Sequence, residues 1–172
     1  DILAQRYSSA GTAVGAAFQA NSYATGTQQD ADLAVEDNGD FVVAWVSGQD
    51  GSGYGVFARQ FTSAGVAVGS DFQVNTTTTG NQRGPSVASD TDGDFVIAFA
   101  DDNGAQDRIR AQRYTSAGAT IGAELQLTDD SSNQTEPSVS MASDGRAVLC
   151  YLGPSGITVR RFDSTMTLVE GP

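Results

Sequence analysis

The chain has 172 residues, of which 21 are acidic and 9 basic, for a formal net charge of −12 and a pI near 4.1. That negative field argues against nucleic acid or an anionic membrane surface as a partner. The sequence has no His and no Lys, which excludes histidine bases, Ser-His-Asp centres, lysine nucleophiles and imidazole zinc sites.

Three stretches of the chain repeat one another, and the first of them lies within residues 1–22. Each carries the pattern Ala-x-x-Tyr/Phe-x-Ser-Ala-Gly, which ends at Gly11, Gly65 and Gly118, at intervals of 54 and 53 residues. A second glycine follows four residues later in each stretch. Self-similarity at a fixed period is the signature of a repeat architecture. The first stretch therefore predicts two strands joined by a Ser-Ala-Gly turn.

The first complete unit adds two strands before this pair. An Asn38-Gly39 turn separates the runs 32–35 and 41–45, and Asp-Gly turns occupy the same place in the next two units. Asn-Gly and Asp-Gly are strong hairpin signals because these residues accept a positive φ at little cost. Each unit of about 53 residues thus predicts four antiparallel strands. No stretch keeps a 3.6-residue period, which predicts little helix.

The second strand of each unit decides the architecture. Residues 41–45 and 95–99 are apolar at every position, whereas a strand with one wet face would alternate. Both faces must be covered, so four-stranded sheets repeated along the chain predict an all-β fold, the β-propeller. A two-sheet sandwich is the alternative, but it does not explain the period. The single predicted domain has roughly three and a half blades: a partial blade at 1–22 and blades at 30–76, 84–128 and 136–172.

Three and a half blades do not close a propeller, since closed propellers usually have four to eight. We expect the ring to be completed by the rest of a longer chain or by another copy in a homo-oligomer, because an open end exposes an unpaired strand edge. The one cysteine, Cys150, gives no disulfide framework, and the first residue is Asp rather than Met. With the Asp-rich composition, this predicts a secreted or cell-surface protein without membrane insertion.

The repeated residues also carry a family resemblance. The run Asp-Asn-Gly-Asp-Phe-Val-Val-Ala-Trp at 37–45, alternating with Gln-Arg-Tyr and a following Gly, resembles the propeller-type repeats of large secreted and surface proteins of bacteria. It is more distantly similar to FG-GAP repeats. The resemblance covers nearly the whole chain and implies a fold and a secreted location more than a function.

The Asp-rich turns are candidate calcium sites, as the FG-GAP resemblance implies and as clustered carboxylate oxygens would allow. The alternative is that they are plain hairpin turns whose carboxylates face water. The third turn has Arg146 where an acid would stand. The candidate metal ligands are Asp37, Asn38, Asp40, Asp90, Asp92 and Asp94.

The longer loops at the opposite end of the predicted blades are the candidate ligand-binding face, because function tends to collect in variable loops on a rigid scaffold. Tyr23 and Tyr54 could stack on a sugar ring, and the alternative is that they cap a hydrophobic edge. The candidate ligand-binding residues are Tyr23, Asp50, Tyr54, Asp101, Asp102, Asn103 and Asp107.

Because so little acid–base machinery is present, we expect an extracellular, non-enzymatic repeat protein. It would act in surface binding, adhesion or self-assembly, with no catalytic residues and no cofactor other than calcium at the turns. Two alternatives stay open. One is a carbohydrate-binding propeller with a glycan as its partner. The other is a polysaccharide-active enzyme that uses two Asp carboxylates, although nothing in the sequence singles out two of them.

Overall fold

The computed structural model describes residues 1–102, 104, 106–128 and 133–170, with only the backbone of Glu170. These residues form fourteen β-strands and no helix. The strands are β1 (Leu3–Tyr7), β2 (Ala13–Gln19), β3 (Gln28–Val35), β4 (Phe41–Ser47), β5 (Gly53–Phe61), β6 (Ala67–Gln73), β7 (Gly80–Ser89), β8 (Phe95–Asp102), β9 (Asp107–Tyr114), β10 (Thr120–Gln126), β11 (Thr135–Met141), β12 (Ala147–Gly153), β13 (Gly156–Phe162) and β14 (Leu168–Glu170).

The strands pair in sequence order into four antiparallel groups. The first sheet has only β1 and β2, and the second, third and fourth are β3 to β6, β7 to β10 and β11 to β14. A short parallel contact, Gly53 with Gly80 and Tyr54 with Asn81, joins the second sheet to the third. The all-β prediction is therefore confirmed, and each complete sheet is one four-stranded blade.

Glycine closes the turn between the first two strands of each complete blade, as the Asn-Gly and Asp-Gly signals predict. Gly39 has a φ of 85° and Gly93 a φ of 81°, in the left-handed region that side chains disfavour. Each amide donates back across the turn, from Gly39 N to Glu36 O at 2.9 Å and from Gly93 N to Asp90 O at 3.3 Å. The local sequence thus fixes where β3 meets β4 and where β7 meets β8.

The second strand of each blade is the core of the molecule. All seven residues of β4 are buried, and so are all but the last residue of β8. In the same type of strand in the last blade, β12, buried residues alternate with exposed or partly exposed ones. The difference arises because β4 and β8 each lie between two sheets, whereas no described residue covers the outer face of β12. The prediction that this strand is covered on both faces therefore holds only for a blade that has a sheet on each side.

A recurring side-chain contact ties each blade to the next at the turn between the third and fourth strands. A polar side chain on the third strand donates to a serine carbonyl in the following blade, and this happens at all three junctions. The pairs are Arg6 with Ser63, Gln60 with Ser116, and Arg113 with Ser164. The contacts satisfy turn carbonyls that would otherwise face water, and they set a constant step from blade to blade.

The first strands of the complete blades converge, and the last strands diverge. Strand β3 packs against β7, and β7 packs against β11. Two hydrogen bonds fix this spacing: Val87 N donates to Asp32 Oδ2 at 2.8 Å, and Val139 N donates to Ser86 Oγ at 3.1 Å. The strands β3, β7 and β11 therefore lie at the inner edge of a partial propeller. The described residues contain no helix of the length and apolar character that a membrane span requires.

Candidate functional site

The inner strands all begin at the end of the propeller that carries the longer loops. Strand β7 starts beside the start of β5, where Tyr54 N donates to Asn81 Oδ1 at 3.3 Å. The loops that lead into inner strands and those that lead into third strands therefore share one face, as predicted. We call this face, with the starts of β3, β7 and β11, the loop face.

A β-bulge recurs near the start of every inner strand. The register shifts between Gln29 and Asp32 in β3, between Arg83 and Ser86 in β7, and between Thr135 and Ser138 in β11. A bulge adds one residue to a strand and aims a side chain in a new direction, and bulges are common beside active sites. Here the same bulge is present in three successive blades, so it is built into the repeat.

One residue of each bulge has left-handed backbone, and two of the three are acids. Asp30 has a φ of 51°, Gly84 a φ of 57° and Glu136 a φ of 54°. Gly84 is the residue type that this backbone prefers, whereas Asp tolerates it moderately and Glu poorly. Both Asp30 and Glu136 are exposed. The strain in each is of the order of 1 to 3 kcal/mol, and strain of this kind clusters at functional sites.

The three bulges are neighbours across the inner strands. A Cβ placed on Gly84 would lie 3.9 Å from Pro137 Cδ, so the bulge of β7 adjoins the residue after Glu136. Asp32, two residues after Asp30, binds the backbone of β7 at Val87. The two exposed acids thus flank the central inner strand on the same face. Sequence reasoning missed both, although the alignment of Asp30 and Glu136 with Gly84 was a signal for left-handed backbone.

Arg83, the residue before Gly84, gathers two of the predicted ligand-binding acids. Its guanidinium pairs with Asp107 through Nη2 and lies 3.6 Å from Asp102 Oδ2 through Nη1. The Arg83 side chain is partly exposed on the loop face. Because guanidinium groups present several fixed donors, Arg83 can bind hydroxyl oxygens of a ligand next to the bulge of β7.

Asp101 has a structural position instead. Its side chain is fully buried, where Oδ2 accepts from Arg110 Nε at 2.7 Å and Oδ1 accepts from Gln82 Nε2 at 3.0 Å. Arg110 Nη1 in turn donates to Glu124 Oε1 at 2.7 Å. The prediction of Asp101 as a ligand-binding residue does not fit this burial, because no part of the carboxylate is open to a ligand.

The other predicted ligand residues are spread over the loop face. Tyr54 is partly exposed beside Asn81, near the start of β7. Tyr23 lies toward the outer edge, where its backbone N faces Asp71 Oδ2 of β6 at 3.4 Å. Asp50 caps its own loop by accepting from Ser52 N at 3.0 Å. Asn103 lies outside the described residues. The structure therefore places Asp102 and Asp107 with Arg83, and Tyr23 apart from them.

The predicted metal ligands lie at the opposite end, in the turns between first and second strands. Asp40 Oδ1 accepts from Ser63 N at 2.7 Å, and Asp94 Oδ1 accepts from Ser116 N at 3.0 Å. Asp90 Oδ1 accepts from two amides of its own turn. The described part of the chain has no group of three or more His, Cys, Asp or Glu arranged to hold a metal ion. Calcium at Asp37, Asn38, Asp40, Asp90, Asp92 and Asp94 stays a prediction.

One acid at this end of the blades, Glu36, lies partly buried against the next blade. Burial raises the pKa of the Glu36 carboxyl, and the nearby Asp40 raises it further. Its Oε2 approaches the backbone of the next blade, 2.6 Å from where a Gly93 Cβ would stand. A side chain at position 93 would displace Glu36, which gives this glycine a packing role in addition to its turn geometry.

Comparison with known proteins gives likenesses of fold. No family model and no curated protein matches the chain. A Hadza microbial sialidase matches 84% of this chain with a TM-score of 0.60 at 10% identity, over 37% of its own length. A thermostable family-43 glycoside hydrolase matches 84% with a TM-score of 0.56 at 13% identity, over 58% of its length. An endo-arabinase from Bacteroides thetaiotaomicron matches 88% with a TM-score of 0.52 at 13% identity, over 62% of its length.

These likenesses correct one part of the sequence analysis. The expectation of a non-enzymatic protein of surface binding, adhesion or self-assembly is contradicted, because the three solved structures named here, which share its fold, are a sialidase, a glycoside hydrolase and an endo-arabinase. The resemblance to FG-GAP repeats and the bacterial surface location stay predictions. The chain spans less than two thirds of each of these three structures. The chain shares the β-propeller fold with these structures, and it forms part of such a propeller.

Proposed function

We propose that this chain is part of a carbohydrate-active propeller that hydrolyses glycosidic bonds on its loop face. The observation that carries the proposal is the pair of exposed acids, Asp30 and Glu136, held in left-handed backbone at matching bulges of the inner strands. Strained acidic residues at equivalent positions of a repeat have no evident packing purpose, since Gly84 adopts the same backbone without strain.

Glycoside hydrolysis needs little more than two carboxyl groups. One donates its proton to the glycosidic oxygen as the bond from that oxygen to the anomeric carbon breaks. The other, as a carboxylate, either takes a proton from the water that attacks the anomeric carbon, or attacks that carbon itself. In the second case water, deprotonated by the first carboxylate, then attacks the anomeric carbon and releases the sugar from the ester. Asp30 and Glu136 supply both groups without His or Lys, so the composition of the chain is compatible with this reaction.

The surroundings of the two acids suit a sugar. Arg83 precedes the bulge residue Gly84 of the central inner strand, and its side chain is partly exposed beside Asp102 and Asp107, so its remaining donors can bind sugar hydroxyl groups. Tyr54 provides an exposed aromatic ring near the start of the central inner strand. The Asp-rich composition also agrees with an extracellular location, where polysaccharide substrates are found.

The test is sugar release by the chain and its variants. The unmodified chain would be incubated with arabinan, sialylated glycans, mannan and xylan, and reducing sugar would be measured. We expect Asp30→Asn and Glu136→Gln each to lower the rate by about 100-fold or more, because each removes one of two essential carboxyl groups. Asp144→Asn is the matched control, since Asp144 is an exposed acid in a turn at the other end. Its rate should equal that of the parent.

Stability measurements on the same variants separate catalysis from folding. Glu136→Gly should lose activity as Glu136→Gln does, but it should gain about 1 kcal/mol in free energy of unfolding, because glycine relieves the left-handed strain. The proposal fails if the chain releases and binds none of these glycans. It also fails if the double variant Asp30→Asn, Glu136→Gln retains the parental rate.

A further inference from the structure

The first sheet is half of a blade, and one edge of β1 has no strand beside it in the described residues. Strand β1 pairs with β2 alone, whereas its equivalents β5 and β9 pair with strands on both sides. The backbone N–H and C=O groups along the free edge of β1 are a ready template for another strand.

Equivalent residues show how much surface this leaves open. Tyr7 is 65% exposed, whereas Phe61 and Tyr114, at the same repeat position, are each 2% exposed. Leu33 on β3 is 50% exposed, whereas Val87 on β7, at its repeat position, is 6% exposed. The side chains are of the same kind, so the difference comes from what covers them in the complete blades.

A groove of about 620 Å³ occupies the place of the missing strands. Its walls are the free edge of β1, the outer face of β3 and the start of β4. The lining is largely apolar and includes Ala4, Leu33, Phe41 and Val43, with Arg6 and Ser63 at its end. Leu33 and Val35 together make an exposed apolar strip along β3. Soluble surfaces seldom leave such a strip uncovered.

The complete junctions show which residues fill this space. Between the second and third blades, Val42 and Ala44 of β4 belong to one core cluster with Phe95, Ile97 and Phe99 of β8. Between the third and fourth blades, Val96 and Ala98 of β8 belong to one cluster with Leu149 and Tyr151 of β12. In both, a small Val-x-Ala pair on one blade meets large side chains on the next.

We propose that this groove binds a β-hairpin of the same repeat type, whose second strand pairs antiparallel with β1 and sets a Val-x-Ala pair against Phe41 and Val43. The groove lies at the next junction in the same row. Because a Val-x-Ala pair packs against large side chains at both complete junctions, we expect a strand with a Val-x-Ala pair to fill the groove. A second copy of the chain is the other candidate occupant. It is disfavoured because two chains of net charge −12 repel each other and because the strands of a complete blade already have partners.

The experiment supplies the hairpin from the chain itself. By repeat alignment Ile2 is equivalent to Val56, so a copy of residues 28–54 is fused in front of Asp1 and restores the spacing of a complete blade. Amide hydrogen exchange would be measured along β1. We expect about half of the amides of Leu3–Tyr7 to exchange on the order of 100-fold more slowly than in the unextended chain, because those amides gain strand partners. The midpoint of thermal unfolding should rise as well.

The matched control carries Val42→Asp and Ala44→Asp in the added copy only, which leaves the original β4 intact. In this control, exchange at β1 should return to that of the unextended chain. Unchanged exchange in the first fusion, or equal protection in both fusions, overturns the proposal. Protection of β1 in the unextended chain together with a dimeric native mass also overturns it, because a second copy would then occupy the groove.

Discussion

Replacing Asp101 with Ala is expected to lower the free energy of unfolding by about 3 to 5 kcal/mol, measured by urea denaturation. Asp101 is fully buried and accepts hydrogen bonds from Arg110 and Gln82. Removing its carboxylate leaves the largely buried Arg110 guanidinium with one acid in place of two, and it leaves the Gln82 amide with Thr79 O as its remaining acceptor. Breaking a buried pair from one side costs far more than an exposed pair is worth.

The repeat itself supplies the control for this effect. The second blade has Ser47 where the third has Asp101, and Phe57 where the third has Arg110. Both residues of the second blade are buried, so an uncharged arrangement is accepted at this place in the fold. Arg110 also pairs with the buried Glu124, so the control must remove that charge as well. The triple variant Asp101→Ser, Arg110→Phe, Glu124→Gln should therefore lose less stability than Asp101→Ala alone, because no buried charge is left unpaired and the new amide at position 124 can still accept from Thr76 N. An equal or greater loss in the triple variant would contradict this account of the network.

Replacing Trp45 with Ala is expected to lower the free energy of unfolding by about 3 to 5 kcal/mol. Trp45 is fully buried in the cluster between the first and second sheets, with Ile2, Phe57 and Phe61. Because strands β4 and β5 are tightly paired around it, the cavity left by the indole cannot collapse easily. Urea denaturation of the variant measures the loss.

Val148→Ala is the control for Trp45→Ala, since Val148 lies on the second strand of the last blade and is partly exposed. It should cost less than about 1 kcal/mol. A loss below 1 kcal/mol for Trp45→Ala would mean that the second strand is not the core of this fold. It would contradict the two-sided burial on which the blade assignment depends.

The sequence predicted the fold well where the repeat and the burial pattern agree. The runs 41–45 and 95–99 are apolar on both faces, and both lie between sheets in the structure. The copy in β12 has the same pattern, yet it alternates in exposure because no described sheet covers its outer face. The residue pattern predicts which side chains of a strand can be buried, and the number of neighbouring sheets determines which of them are buried.

The proposed site was much less predictable from the sequence, because it depends on backbone conformation and not on residue type alone. Exclusion of His and Lys chemistry led to the prediction of a non-enzymatic protein, but hydrolysis of a glycosidic bond needs only carboxyl groups. The chain has 21 acids, and composition cannot separate the two at the bulges from those in turns. Asp30 and Glu136 differ from the rest by their backbone conformation, which depends on the pairing of the inner strands. In the sequence, only the alignment of Asp30 and Glu136 with Gly84 indicated a left-handed backbone at these positions.

The most direct test of the proposed site is where a carbohydrate contacts the chain. Uniformly ¹⁵N-labelled protein would be titrated with arabino-oligosaccharides and with a sialylated trisaccharide, and amide chemical shifts would be followed by NMR. The account predicts that the largest shifts fall on the loop face, at Asp30, Arg83 and Glu136 and the residues beside them. Shifts confined to the opposite turns, around Asp40 and Asp94, or no shifts at millimolar sugar, would contradict it.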